Sequence, residues 1–232
     1  MPSLKDIHLA AMNQLKQKFP LKLAPLIHPF PERPIRTLGL IKIDGDVFSS
    51  EKLSRAVFLR VEFPFYFSVR TIFVRPRVEY DLPFFTCDAV FTGGRRLLVM
   101  DIHRTEKGER RGDSALIDRL VEIRSKYPAL LERVAPKVGG IQTFFSRAVC
   151  RVKTTEELDN DILNIFHEYL DLFCDMVGKA EPLSGDVLDT ARQTFEGYLT
   201  TWADHDPGVI VNKILFGKKG GITRGLDIFF DR

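Results

Sequence analysis

Two aspartates in this 232-residue sequence stand where a carboxyl group could move protons. The first, Asp88, interrupts the apolar run from Phe84 to Phe91, which Pro83 and the Gly93-Gly94 pair bound as they would a strand. Both faces of this strand are mostly apolar, so we expect a central strand covered on both sides. Burial raises the pKa of a carboxyl group, and an acid that keeps its proton can protonate a substrate. A hydrogen bond to the backbone at a sheet edge explains the residue equally well.

The second aspartate is Asp206, in the stretch from Ala203 to Gly208. It precedes Pro207, and this pair is typical of a helix that begins with an aspartate cap and a proline at its first position. The dipeptide alone therefore favours a structural role over a chemical one.

Motifs for common cofactors are absent from the sequence. It has no Gly-x-Gly-x-x-Gly, no phosphate-binding loop and no Gly-x-Ser-x-Gly. The three cysteines form no Cys-x-x-Cys, and the five histidines show no metal-ligand spacing. We therefore expect no bound cofactor and no metal. His103 beside Asp101 could form a site, but a solvated strand end is the simpler explanation.

Composition is that of a folded protein from a reducing compartment. Its 19 phenylalanines suit a core, or a pocket for a flat conjugated ligand. The net charge of +3 does not indicate nucleic acid, and no apolar run is long enough to span a membrane. The odd, sparse cysteines favour the cytoplasm. We expect one domain over residues 1–232 that acts as a monomer.

Hydrophobic periodicity predicts strands first and helices later, with one strand returning between helices. The short connections favour an antiparallel sheet, and the fold class is therefore α/β, a three-layer α/β/α sandwich with a central antiparallel sheet. Predicted strands cover residues 37–43, 55–62, 66–74, 84–91, 96–102 and 141–152. Predicted helices cover residues 3–19, 114–126, 127–134, 154–178 and 184–203, with another starting at 206. Asp44-Gly45 is predicted to form a hairpin turn, and Gly217 to Gly221 to interrupt the last helices.

Four motifs occur in an order typical of one enzyme family. They are Glu79 to Asp88, Leu97 to Ile102, Tyr169 to Leu183, and Asp206-Pro207 ahead of Leu215-Phe216-Gly217 with a later Phe-Phe. Together they resemble the ferredoxin-dependent bilin reductases, which reduce biliverdin to phycobilins or phytochromobilin. The resemblance covers roughly residues 36 to 230 and rests on the set rather than on any one motif.

The resemblance implies a fold and a mechanism. In this family an antiparallel sheet carries helices on both sides, and the bilin lies between the sheet and the C-terminal helices. No metal or flavin is bound, and reduced ferredoxin supplies electrons singly from outside. Asp88 matches the strand aspartate that protonates the bilin. Asp206 matches the helix aspartate of members that also reduce the A-ring.

Three further positions bear on the product expected from biliverdin IXα. Thr71 and Leu59 stand where the phycocyanobilin-forming branch has His and Glu, and His205 stands where it has Asn. The resemblance therefore favours phycoerythrobilin or 15,16-dihydrobiliverdin. A phycocyanobilin- or phytochromobilin-forming reductase remains open, as does a non-catalytic bilin- or haem-binding protein on the same fold.

Basic residues are the expected contacts for the substrate's two propionates and for an acidic ferredoxin. The propionate candidates are Arg147, Lys137 and Lys213. The candidates for a transient ferredoxin contact are Arg75, Arg77, Arg95, Arg96, Lys218 and Lys219. Each of these is also a plausible solvated surface charge.

Overall fold

A seven-stranded antiparallel sheet organises the part of the chain that this computed structural model describes, residues 4–106, 113–131 and 143–232. Neighbours in sequence are neighbours in the sheet, so the strands form a simple meander. The strands are β1 (Lys22–Leu23), β2 (Lys42–Ser49), β3 (Leu53–Phe63), β4 (Phe67–Pro76), β5 (Phe84–Thr92), β6 (Arg95–His103) and β7 (Cys150–Thr155).

Helices cover the sheet on both sides. They are α1 (Ile7–Lys18), α2 (Ser114–Ser125), α3 (Pro128–Leu131), α4 (Asp159–Lys179), α5 (Gly185–His205), α6 (Pro207–Phe216) and α7 (Lys218–Gly225), followed by a π-helical turn at Leu226–Phe230. No helix in the described ranges has the length and apolar character that a membrane crossing requires. The predicted α/β/α sandwich with a central antiparallel sheet is confirmed.

One side of the sheet, called here the closed face, is buried along the whole of β5. On β5 it carries Phe85, Cys87, Ala89 and Phe91, all at most 4% exposed. The apolar stripes of α1, α2 and α4 pack against it, and Phe85 lies 5.7 Å from Phe166 of α4, ring centre to ring centre. This layer supplies the largest continuous apolar contact of the described chain and holds the central strands in place.

The opposite side, called here the open face, is covered unevenly. Its β5 residues are Phe84, Thr86, Asp88 and Val90, because side chains alternate along a strand. Phe84 is buried beneath α5, where its ring meets Tyr198 at 5.4 Å. Exposure rises toward Asp88, which reaches solvent. Our expectation that β5 is covered on both faces is therefore wrong at Asp88, since α5 and the C-terminal turn cover only the other end of the open face.

Three local predictions are also wrong. Asp44 and Gly45 lie inside β2, paired with Arg60 and Leu59 of β3, because Asp44 forms ion pairs with Lys42 and Arg60 that a turn would break. The strand predicted at 141–152 begins only at Cys150; residues 143–149 form turns, and residues 141 and 142 lie outside the described residues.

The expected break between Gly217 and Gly221 is limited to Gly217, whose φ of 80° ends α6. Helix α7 begins at the next residue. A side chain at Gly221 would meet the backbone of Asn212 at 2.5 Å, so glycine is what allows α7 to pack closely on α6.

Replacing Phe85 by Ala should destabilise the protein by about 3–5 kcal/mol, because it leaves a cavity in the fully buried layer under α4. Phe65→Ala is the matched control, since Phe65 lies fully exposed in the turn between β3 and β4 and should change the unfolding free energy little. Urea unfolding of both variants measures the difference. Equal effects would show that α4 does not anchor β5.

Candidate functional site

The candidate site is a row of side chains across the middle of the open face. Strand register places Leu59 beside Thr71, Thr71 beside Asp88, Asp88 beside Val99, and Val99 beside Arg151. Directly paired residues of antiparallel strands point to the same side. Four neighbouring strands and β7 therefore hold these five side chains on one surface, spaced at about 5 Å per strand.

Asp88 lies at the centre of this row. Its carboxylate accepts a hydrogen bond from the Thr71 hydroxyl at 2.5 Å, and no backbone group among the described residues bonds to it. Burial among the surrounding strand residues raises the pKa of Asp88, and the Thr71 hydrogen bond partly offsets that rise. The side chain is nevertheless in contact with solvent, so Asp88 is an accessible acid on the surface of the sheet and not a core residue.

Asp206 lies in the helical layer at the start of α6, near enough to Asp88 to sense its charge, and the space between the two residues is called here the cleft. It caps α6, accepting hydrogen bonds from the amides of Gly208 at 2.8 Å and Val209 at 3.2 Å, which confirms the structural role predicted for it. Burial and the negative charge of Asp88 together raise the pKa of Asp206 to about 6, against the lowering effect of the two amides. The two aspartates are thus close enough to interact electrostatically.

An aromatic wall closes the end of the cleft beyond Thr86. Phe84, His103 and Tyr198 pack there, with His103 Nε2 and the Tyr198 hydroxyl 3.4 Å apart. Burial lowers the pKa of His103 to about 3, so its ring is neutral near pH 7. Burial, helped by the charge of Asp206, raises the pKa of Tyr198.

The prediction of a solvated strand end at Asp101 and His103 is wrong. Both are at most 3% exposed. Asp101 accepts hydrogen bonds from the Ser146 amide and hydroxyl, each at 2.6 Å, and so fixes the turn that follows the undescribed segment. The pair contributes to the wall of the cleft rather than to its surface.

The basic residues expected near the substrate are scattered. Arg147 lies in a turn and not in a strand, and it pairs with Asp118 of α2 at 2.7 Å, toward the closed face. Lys213 donates to the carbonyl of Ala203 at 2.5 Å and so caps the end of α5. Lys137 lies outside the described residues.

His205 is exposed at the end of α5, one residue before Asp206. Thr71, by contrast, is where the site requires it, in contact with Asp88.

Sequence reasoning missed Arg151. It occupies the row two strands from Asp88, is 9% exposed, and its guanidinium lies 5.8 Å from the centre of the Phe145 ring. The signal was the alternation of β7, in which Arg151, Lys153 and Thr155 share a face. The predicted strand ends at Val152 and so leaves out Lys153 and Thr155, which complete this alternation.

Two of the expected ferredoxin contacts are also excluded from the surface. Arg75 and Arg96 are each 6% exposed, and Arg96 pairs with Asp159 at 3.0 Å. Arg77, Arg95, Lys218 and Lys219 remain exposed. Among the described residues no three His, Cys, Asp or Glu side chains come together as a metal ion would require.

Comparison with known proteins is consistent with this geometry. The model of a family described as ferredoxin-dependent bilin reductase matches residues 8–220 of the chain. The protein belongs to this family. The matched residues include the whole row and Asp206.

Individual relatives are distant. The phycoerythrobilin:ferredoxin oxidoreductase of Parasynechococcus marenigrum (strain WH8102) is 28% identical over 165 residues, 68% of this chain and 63% of that protein. The enzyme of the same name from Gloeobacter violaceus is 27% identical over 195 residues, 81% of this chain and 79% of the other. The alignment with the enzyme of Prochlorococcus marinus (strain MIT 9301) likewise spans only 63% of that relative's length.

A solved structure has the same fold. Phytochromobilin synthase from tomato, crystallised in complex with biliverdin, superposes with a TM-score of 0.82 over 98% of this chain and 82% of its own, at 18% sequence identity. At that identity the match supports the fold alone.

Asp206→Asn should make this protein more heat-stable above pH 7. The folded-state pKa of Asp206 is raised to about 6. The contribution of its protonated carboxyl group to stability is therefore full below about pH 4 and is lost as the pH rises through 6. Asparagine caps a helix equally well and carries no charge. Because Asp206 is partly exposed, we expect the variant to gain only about 1 kcal/mol in unfolding free energy at pH 7.5, which corresponds to a rise of about 2–4 °C in Tm.

The two melting temperatures should converge near pH 4. Asp204→Asn, which removes an exposed charge two residues earlier, is the control and should show no such pH dependence. A constant offset between Asp206→Asn and the wild type at every pH would contradict the raised pKa.

Proposed function

We propose that the protein reduces biliverdin IXα in one-electron steps, with reduced ferredoxin as the external electron donor. The observation that carries the proposal is the meeting of two acids with raised pKa values, Asp88 and Asp206, across one open cleft. A carrier of bilin or haem has no need of proton donors, so this pair favours an enzyme over a binding protein.

The cleft suits a flat conjugated substrate. The row from Leu59 to Arg151 is a floor about five strands wide, the aromatic wall at Phe84 limits the substrate at one end, and α6 lies above. A substrate in this cleft would displace water from both aspartates. This would raise the pKa of each further and favour the protonated form until the proton is transferred to the substrate.

The two acids approach the substrate from different sides and can therefore protonate different carbons. Reduction of one double bond consumes two electrons, delivered singly, and two protons. Asp88, on the sheet, donates in the first reduction, and Asp206, on the helix, in the second. Thr71 positions the Asp88 carboxylate through its hydroxyl and partly offsets the rise in the pKa of Asp88.

We propose phycoerythrobilin or 15,16-dihydrobiliverdin as the product. Leu59 and Thr71 are adjacent in the row, and neither provides the imidazole or second carboxylate that resemblance assigns to phycocyanobilin formation. The curated relatives described above are named phycoerythrobilin:ferredoxin oxidoreductases, which supports the same product class.

Arg151 is our leading candidate for a propionate contact. It lies on the floor about 10 Å from Asp88, two strand spacings away, and carries the charge that a carboxylate requires. Lys213 would have to leave the Ala203 carbonyl, and Arg147 would have to leave Asp118, so each is a weaker candidate. The exposed Lys218 and Lys219, at the start of α7 beside α6, are the preferred ferredoxin contacts.

Reduction of biliverdin should require a one-electron donor. The purified protein is incubated with biliverdin and either a reduced ferredoxin system or NADPH alone, while the visible spectrum is recorded and the products are separated by chromatography. We expect turnover only with ferredoxin and a product of the phycoerythrobilin or dihydrobiliverdin type. Efficient turnover with NADPH alone would contradict the proposal, and phycocyanobilin as the main product would contradict the product assignment.

Asp88→Asn and Asp206→Asn should arrest the reaction at different stages. Each substitution removes a proton donor with little change of volume, so biliverdin should still bind. Asp88→Asn should block the first two-electron reduction, and Asp206→Asn should let a partly reduced bilin accumulate. The spectrum and product profile of each variant measure this.

If Asp88→Asn turns over biliverdin as the wild type does, Asp88 is not a proton donor. If Asp206→Asn gives the normal product, the role of Asp206 is limited to capping α6. Asp204→Asn serves as the matched control for the second variant.

A further inference from the structure

A second cavity lies at the far end of the open face, beyond the aromatic wall. It has a volume of about 280 Å³ and is bounded by the end of β4, the middle of α5 and the last residues of the chain. Arg75 lines it, four residues along β4 from Thr71 and so roughly 13 Å from the row. The rings of Phe73, Phe84 and Phe230 pack together between the two places.

Arg75 is a buried cation without a carboxylate partner among the residues that the structure describes. It is 6% exposed, its Nη2 donates to the Phe230 carbonyl at 3.1 Å and to the Ser54 hydroxyl, and its guanidinium lies 4.7 Å from the centre of the Phe195 ring. Its Nε is buried and has no hydrogen-bond partner in the described chain. A buried charge of this kind is costly unless an opposite charge compensates it.

The carboxylates around the cavity are mostly engaged elsewhere. Asp231 pairs with Arg55 at 2.5 Å, and Glu196 pairs with Arg232. Arg77, also in the lining, donates to the Ser50 carbonyl at 3.3 Å and has no ion pair in the described ranges. Arg192 lines the cavity as well and pairs with Asp189.

Glu79 is the one lining carboxylate without an ion pair among the described residues, and it works against anion binding. The balance still favours an anion, since neither Arg75 nor Arg77 forms an ion pair among the described residues and two further arginines, Arg192 and Arg232, line the cavity. Burial and the charges of Arg55, Arg232 and Arg77 lower the pKa of Arg75 to about 10, although Asp231 raises it, so Arg75 stays charged near neutral pH.

We propose that this arginine cavity, lined by Ser54, Arg75, Arg77, Arg192 and Arg232, binds a phosphate group. Guanidinium groups that approach from several elements suit a tetrahedral oxyanion better than a flat carboxylate, which a single guanidinium can satisfy. A phosphate held by Arg75 and Arg77 would neutralise the buried charge. It would also link β4 to the carbonyl of Phe230 through Arg75, and so fix the C-terminal turn that forms one wall of the cleft.

The test is the binding of inorganic phosphate to the whole protein, measured by calorimetry and by thermal unfolding at constant ionic strength. We expect saturable binding and a rise of Tm with phosphate, because a ligand that binds only the folded state stabilises it. Arg77→Gln, at an exposed position that should not disturb folding, should weaken binding about tenfold or more. Arg75→Gln should abolish it.

The matched control is Arg95→Gln, an exposed arginine at the turn between β5 and β6, which should bind phosphate as the wild type does. Glycerol phosphate distinguishes a free anion from the phosphate group of a larger ligand. Tighter binding of the ester assigns the site to a phosphomonoester, and tighter binding of phosphate assigns it to the free ion.

Two results would overturn the proposal. One is a phosphate effect that equal concentrations of chloride reproduce, or that Arg77→Gln and Arg75→Gln leave unchanged. The other is that phosphate competes with biliverdin and that Arg77→Gln no longer binds biliverdin. That result would show that the cavity is part of the bilin cleft. If the protein binds phosphate as expected but does not reduce biliverdin, the proposed function is contradicted and the phosphate site is not.

Discussion

The alternation of side chains along β5 is the constraint on which the rest of the structure depends. Phe85, Cys87, Ala89 and Phe91 point to the closed face and are fully packed under α1 and α4. Because that burial stabilises the strand from one side, the other side can carry a carboxylate at Asp88 with only partial cover. A one-residue slip in register would move Asp88 into the apolar layer and expose the phenylalanines, so packing and chemistry are fixed by the same pairing.

The electrostatics of the site follow from this arrangement. Asp88 and Asp206 are brought together on different elements, one by sheet register and one by the cap of α6, and the charge of Asp88 helps to raise the pKa of Asp206. The neighbouring His103 is neutral because it is buried, and among the charged groups of the described chain none forms an ion pair with either aspartate. Both aspartates of the cleft therefore keep their protons to a higher pH than ordinary carboxyl groups do.

Much of this could be predicted from local sequence. The apolar run around Asp88, the Asp206-Pro207 cap and the amphipathic stripe of α4 each depend on residues close in sequence, and each was confirmed. The errors involve tertiary partners. Asp44 is held in β2 by Lys42 and Arg60, and Gly221 permits packing against a helix that no local pattern reveals.

The contacts of basic residues were the least predictable part of the site. Arg147 was expected near the substrate and turned toward Asp118, whereas Arg151 was overlooked and lies on the floor. The difference is where the strand begins, because Arg147 precedes β7 and lies in a turn, whereas Arg151 lies within the strand. Likewise, the burial of Arg75 depends on how α5 and the last residues of the chain close over β4, which the periodicity of either segment does not determine.

The measurement that tests the central claim most directly is a crystal structure of the protein with biliverdin bound. The account predicts the tetrapyrrole on the open face, with Asp88 and Asp206 each within hydrogen-bond distance of it on different sides and the aromatic wall of Phe84 and Tyr198 at one end. A bilin bound elsewhere, for example in the cavity of about 480 Å³ beside Phe63 and Tyr66 at the β3–β4 turn, would contradict it.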